Sequence, residues 1–167
     1  MAAQDGQIDA TGAALIHEAP EEVPDGALAE LVRNLADAVI ICDAKGAIVF
    51  WNEAATSLFG WPADQVMGRS LDVIIPERQR APHWEGYWRV METGVTSYGD
   101  RLLEVPAMHR DGRRFSIAFT VSLLKRPGEQ APWGIAAVMR DDTTRFQERR
   151  ELRQRISELE AAARAAD

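Results

Sequence analysis

The sequence predicts an α+β fold: a five-stranded antiparallel sheet with helices gathered on one face, continued by a C-terminal coiled-coil helix. Three observations predict it. Two apolar, β-branched runs flank Asp-Ala-Lys-Gly at residues 43–46. Three more strand-like runs follow one long helical stretch, and residues 143–167 are helical with apolar side chains at a/d spacing. With 167 residues, 46% hydrophobic and 27% charged, the chain has the composition of one domain able to bury its own core.

Residues 1–26 form a tail rich in Ala, Asp, Glu, Gly and Pro, too poor in large apolar groups to offset the entropy of ordering. A short helix near Ala14–Ala19 is marginal there. The domain proper runs from 27 to 142. Leu28, Leu31, Val32 and Leu35 recur at helical spacing. AVIICDAKGAIVFWN is then a hairpin. Asn52 is suited to cap the helix EAATSLF, and Gly60 to stop it. Pro62 and Ser70 open two short helical turns. A long helix spans 77–93 and ends at Gly94. Phe115, Ile117, Phe119, Val121 and Leu123 alternate along the next region, so one face of that strand is buried. Asp111-Gly112 is a hairpin dipeptide, and residues 134–141 make the last strand. From 143 onward, Leu152, Ile156, Leu159 and Ala163 step by four, three and four, an a/d seam of about two heptads that is marginal as a lone helix and reads as a dimerising one.

The net charge is −7, and the basic residues at 145–155 alternate with Glu148 and Glu151, so no basic stripe for nucleic acid is present. No apolar run is long enough to span a bilayer, and the N-terminus lacks the order of a signal peptide. The single cysteine, Cys42, excludes an internal disulfide and fits a cytoplasmic location. It reads as a small core residue. Of the five tryptophans, packing accounts for most, while Trp51 and Trp133 could sit on the outer face of the sheet. His109 reads as a surface residue before a turn. No phosphate loop, nucleophile elbow or metal-ligating histidine pair is found, so the chain is read as a non-enzyme.

Four segments together resemble the PAS family: AVIICDAKGAIVFWNEAATSLFGW, the turn at PADQVMGRSLDVIIP, the HRDGRRF hairpin, and MRDDTTR at the outgoing helix. The resemblance covers about residues 27 to 145. It implies a hollow between sheet and long helix, and a terminal helix that relays signals. Within that family, Pro76, Glu77, Arg80 and His83 match the Pro-Glu-x-x-Arg-x-x-His pattern of the haem-binding oxygen-sensor subgroup. The resemblance then implies haem b, with His83 on the iron, Arg89 near a propionate, and Phe119 and Val121 over the distal face. Tyr87 and Met91 would flank His83 one and two turns on. The subgroup's distal methionine position holds Arg101, and its distal arginine position holds Leu103. The cysteine-bearing segment of the flavin-adduct light sensors is absent, which argues against a flavin adduct.

His83 has two readings. It is an iron ligand, or it is a structural histidine of the broader Arg-x-x-His-x-x-Gly pattern that Arg80, His83 and Gly86 also satisfy. Two functions follow. One is a cytoplasmic sensor that binds a small ligand, dimerises, and signals to a partner protein such as a kinase or regulator. The other is a cofactor-free interaction domain whose hollow is filled by Trp84, Tyr87 and Met91.

Overall fold

The computed structural model describes residues 23–96 and 101–166. The expectations for the tail before residue 23, His17 included, lie outside the described residues. The chain divides after Leu31, and the sheet and every site below belong to the unit that begins at Val32.

Helix α1 (Asp25–Asn34) leads to strands β1 (Ala38–Asp43) and β2 (Ile48–Trp51). Asp43 builds the turn between them, because its Oδ1 accepts from the backbone N–H groups of Lys45 and Ala47. Gly46 supplies the left-handed backbone at φ +80° that this turn needs. Helices α2 (Glu53–Phe59) and α3 (Ala63–Val66) and a 3-10 turn at Leu71–Val73 then lead to α4 (Glu77–Thr93). Strands β3 (Leu103–Met108), β4 (Arg114–Leu124) and β5 (Gly134–Asp141) follow, and α5 (Thr143–Ala166) leaves the sheet. The caps are those the sequence predicts. Asn52 Oδ1 accepts from Ala55 N, Gly60 closes α2 in the left-handed region, and Ser70 accepts from Asp72 N.

The five strands pair antiparallel in the order β2-β1-β5-β4-β3. The first and last strands of the sequence, β1 and β5, are hydrogen-bonded neighbours, and β5 returns to the middle of the sheet. Register assigns the faces. Ile40 is opposite Ala137, which is opposite Val121, while Phe119 is opposite both Leu103 and Met139. These side chains share the face turned toward α4. The core beneath them gathers Phe59, Ile48, Val66 and Ala55, each fully buried, around Trp51 and Phe115. Phe59 stacks at a tilt on both rings, with centroids 5.5 and 5.7 Å away.

Two side chains sit differently from expectation. Trp51 is 6% exposed and belongs to this core rather than to the outer face, because its indole packs on Phe59 and donates to Thr56 Oγ1. Trp133 is half-buried just before β5. His109 is half-buried rather than fully exposed: its side chain is 17% exposed, pairs with Asp111, and lies so close to Gly60 that a Cβ there would come within 2.3 Å of its Nε2.

Helix α5 is held at its start by several polar contacts. Asp141 Oδ1 accepts from Thr143 N, and Thr143 Oγ1 accepts from Ser116 N on β4. The guanidinium of Arg149 joins Glu104 of β3 at 2.6 Å and the buried carboxylate of Asp142 at 2.5 Å. Beyond it, Leu152, Ile156 and Leu159 are 54–65% exposed, an apolar seam with no covering surface among the described residues.

Candidate functional site

The cavity lies between α4 and the inner face of the sheet and measures about 400 Å³. That falls within the range of small-molecule sites. Its walls are mostly apolar. Leu71, Ile74 and Ile75 close one end, and Ile40, Cys42, Ala137 and Met139 form the floor. Phe119, Val121 and Leu123 line the β4 side, and Leu103 and Val105 the edge strand. From α4 come Gln79, Pro82, His83, Gly86, Tyr87 and Val90.

Two aromatic anchors keep the cavity open. Trp84 does not line it. Its indole N–H donates to Asp72 Oδ1 at 2.8 Å, and its ring lies against Gly46, where a Cβ would come within 2.4 Å of it. Tyr87 is 7% exposed, and its hydroxyl donates to the carbonyl of Asp43 at 2.6 Å. Both contacts tie α4 to the β1–β2 turn and leave the space beneath His83 unfilled.

His83 faces the cavity with its ring edge-on to Trp84, centroids 4.8 Å apart. Its Nδ1 is buried with no hydrogen-bond partner among the described residues. The same holds for Gln79 Oε1, one helical turn earlier. Burial pushes the His83 imidazole below its ordinary 6.5, against a smaller opposing pull from the Asp72 carboxylate. The ring is therefore neutral at pH 7, the form that ligates metal. A lowered histidine value means that the unfolded chain takes up its proton first as the pH falls. The stability linked to His83 is complete above about 6.5 and is lost as the pH falls toward the folded-state value. The urea midpoint should thus fall further between about pH 7.5 and about pH 5.5 in the wild type than in His83→Phe. Equal falls in the two proteins would contradict a buried neutral imidazole.

Of the residues the sequence singles out, the structure brings His83, Tyr87, Phe119 and Val121 to the cavity. It does not bring Met91, Arg89 or Arg101. Met91 is half-buried against the core, because eight residues along a helix rotate its side chain about 80° from His83, whereas Val90 lies about 20° away and takes the place at the wall. Arg89 projects to solvent and pairs with Glu85 at 2.9 Å. Arg101 is exposed in the segment before β3. Gln79 also lines the cavity, but it occupies an x position of the Pro-Glu-x-x-Arg-x-x-His pattern, so nothing in the sequence singles it out. Cys42 is buried in the cavity floor, and its thiol is pushed up to about 12 by burial and the neighbouring Asp43, so it is inert as a nucleophile.

The fold and its hollow agree with a match of residues 26–141 to the PAS fold family model. The chain belongs to the PAS family. PAS domains are sensory modules typical of signal transduction rather than catalysts. Curated relatives extend the comparison. An uncharacterized protein of Azorhizobium caulinodans is 34% identical over 131 residues, 78% of this chain and 17% of that protein. The sensor protein FixL of Bradyrhizobium diazoefficiens is 27% identical over 132 residues, 79% of this chain and 26% of its own length. The oxygen sensor protein DosP of Escherichia coli is 26% identical over 126 residues, 75% of this chain and 15% of its own length. The PAS chain thus spans about a quarter or less of these relatives. Among solved structures, an RNA-binding light-oxygen-voltage receptor superposes with a TM-score of 0.67 at 22% identity, covering 85% of this chain and 41% of that one. That likeness speaks for the fold alone. No helix among the described residues is long and apolar enough to cross a membrane.

Proposed function

We propose that this PAS domain is a haem-based sensor module. His83 is the protein ligand to iron, and the change at the cavity is relayed through α5 to a partner protein. The observation that carries this reading is a half-buried, neutral imidazole on the wall of an apolar cavity of about 400 Å³. Similarity to an oxygen sensor protein supports the same direction.

The residues fit haem in two respects. The walls are apolar, and one imidazole is available as axial donor. Haem would supply an iron centre able to bind a diatomic gas. His83 would hold it from α4, with Phe119, Val121 and Leu103 on walls contributed by the sheet. Among the described residues, the cavity lining contains no lysine or arginine. Cations for the propionates must come from the surface, where Arg89 is available at the cost of opening an exposed pair with Glu85. Arg101 and Met91 have no part in the wall.

The path outward runs through β3. That edge strand lines the cavity with Leu103 and Val105, and it carries Glu104, the partner of Arg149 on α5. Past Arg149 the open seam of Leu152, Ile156 and Leu159 suits a second copy of the helix, as in a homodimer, or a partner kinase or regulator with a matching coil. A cofactor-free interaction domain uses the same seam, but Trp84 and Met91 do not plug the hollow as that reading requires.

The test is a haem titration of the purified protein followed at the Soret band. One haem per chain is expected, with affinity lowered at least about tenfold in His83→Ala, the loss of one axial bond being worth more than 1.4 kcal/mol. A wild type that stays colourless in excess haem overturns the reading.

A further inference from the structure

We propose that Gln79 is the residue that orients His83: its Oε1 accepts the Nδ1–H of the imidazole, which fixes the tautomer and leaves Nε2 bare toward the cavity. This rests on His83 as the iron ligand and assigns the group that prepares it. Among the described residues, three buried side-chain polar atoms lack a hydrogen-bond partner. One is the Trp61 indole nitrogen, whose ring instead lies beneath the guanidiniums of Arg69 and Arg110. The other two are Gln79 Oε1 and His83 Nδ1, four residues apart on α4 and both on the wall of one cavity.

The two orphans are complementary. A glutamine carbonyl only accepts, and a neutral imidazole carries one N–H on whichever nitrogen its surroundings favour. Residues four apart on a helix have Cβ atoms about 5–6 Å from each other, within reach of Gln79's side-chain torsions. The structure leaves the two atoms unbonded, and at this helical spacing a change of the Gln79 side-chain torsions closes the bond. It satisfies both groups at once.

The two nearby carboxylates are engaged. Asp72 Oδ1 already takes the Trp84 indole N–H at 2.8 Å, and its carboxylate lies 3.9 Å from Arg80 Nε. Glu104 is held by Arg149. The apolar side chains of Leu71, Ile74 and Ile75 offer nothing. A ligating histidine whose second nitrogen donates to a fixed acceptor is held in plane and is a stronger donor to its metal. Gln79 is therefore a positioning residue, acting through His83.

The experiment has a haem-free arm and a haem arm. In the haem-free protein at neutral pH, ¹⁵N NMR of the His83 ring should report the Nδ1–H tautomer. Gln79→Leu should move it to the Nε2–H form, and Gln79→Glu should restore Nδ1–H. In the haem-loaded ferrous protein, the iron–histidine stretch in resonance Raman should drop to lower frequency in Gln79→Leu and recover in Gln79→Glu. Should Gln79→Leu fold poorly, Gln79→Met, equally without an acceptor at that atom, gives the same readings. An unchanged tautomer in the apolar variant overturns the inference whether or not haem binds. A tautomer shift in a protein that takes up no haem upholds the Gln79–His83 bond and overturns only the haem reading.

Discussion

Asn52→Ala lowers the unfolding free energy by about 3 kcal/mol, and with it the melting temperature by about 10 °C. Asn52 is 4% exposed and uses both ends of its amide. Oδ1 accepts from Val39 N at 2.9 Å and from Ala55 N at 2.9 Å, so one atom serves a strand and caps a helix. Nδ2 donates to the carbonyls of Asp37 at 2.9 Å and Val32 at 3.4 Å. Alanine removes the cap, worth about 1 kcal/mol, and strands buried backbone groups that no other side chain reaches. Asn52→Asp keeps the acceptor but replaces the N–H donors by a charge beside two carbonyls, so it should be destabilised as well. Chemical denaturation of the three proteins checks this. A loss below about 0.5 kcal/mol, the ordinary effect of a surface substitution, would mean that these bonds are not made in solution.

Gly46→Ala should cost about 2–4 kcal/mol, because two penalties fall on one atom. At φ +80° any Cβ is strained. The new methyl would also lie 2.4 Å from Trp84 Cζ3 and 2.6 Å from Cη2. Trp84 cannot easily yield. Its N–H is held by Asp72, and its ring is stacked on Trp88 at 5.4 Å and meets Tyr87 at 5.3 Å. Relief must come from moving α4 away from the β1–β2 turn, and His83, the residue before Trp84, moves with it. The variant should therefore lose ligand affinity as well as stability. Trp84→Leu in the Gly46→Ala background should recover part of the stability, since it removes the obstructing ring. Absence of any recovery would place the cost in the backbone alone.

Much of this architecture is legible in the sequence because local chemistry decides it. Asp43 and Gly46 make their turn from within four residues. Asn52 and Gly60 bound α2, and the alternation from Phe115 to Leu123 marks one face of β4. The bounds of α4 follow from Pro76 before it and Gly94 after it. What is not legible depends on direction or on distance along the chain. Arg149 meets Glu104 across 45 residues, and nothing local in either segment signals the pairing. Met91 shares a face with His83 on a simple i+4 count, but 3.6 residues per turn carries it off that face by the second step. Arg89 has the right spacing for a role at the cavity, yet Glu85 lies at i−4 and claims it on the solvent side. Gln79 is invisible in sequence because only the cavity makes its carbonyl an orphan.

The central claim is that His83 supplies the bond that holds a guest in the α4–sheet cavity. The most direct measurement is haem binding by His83→Gly with and without added imidazole. Deleting the ring leaves a hole on the cavity wall that free imidazole can enter. The account predicts that the variant binds haem weakly and that imidazole restores the wild-type absorption spectrum. Haem binding in His83→Gly that matches the wild type in affinity and spectrum, without imidazole, would contradict it.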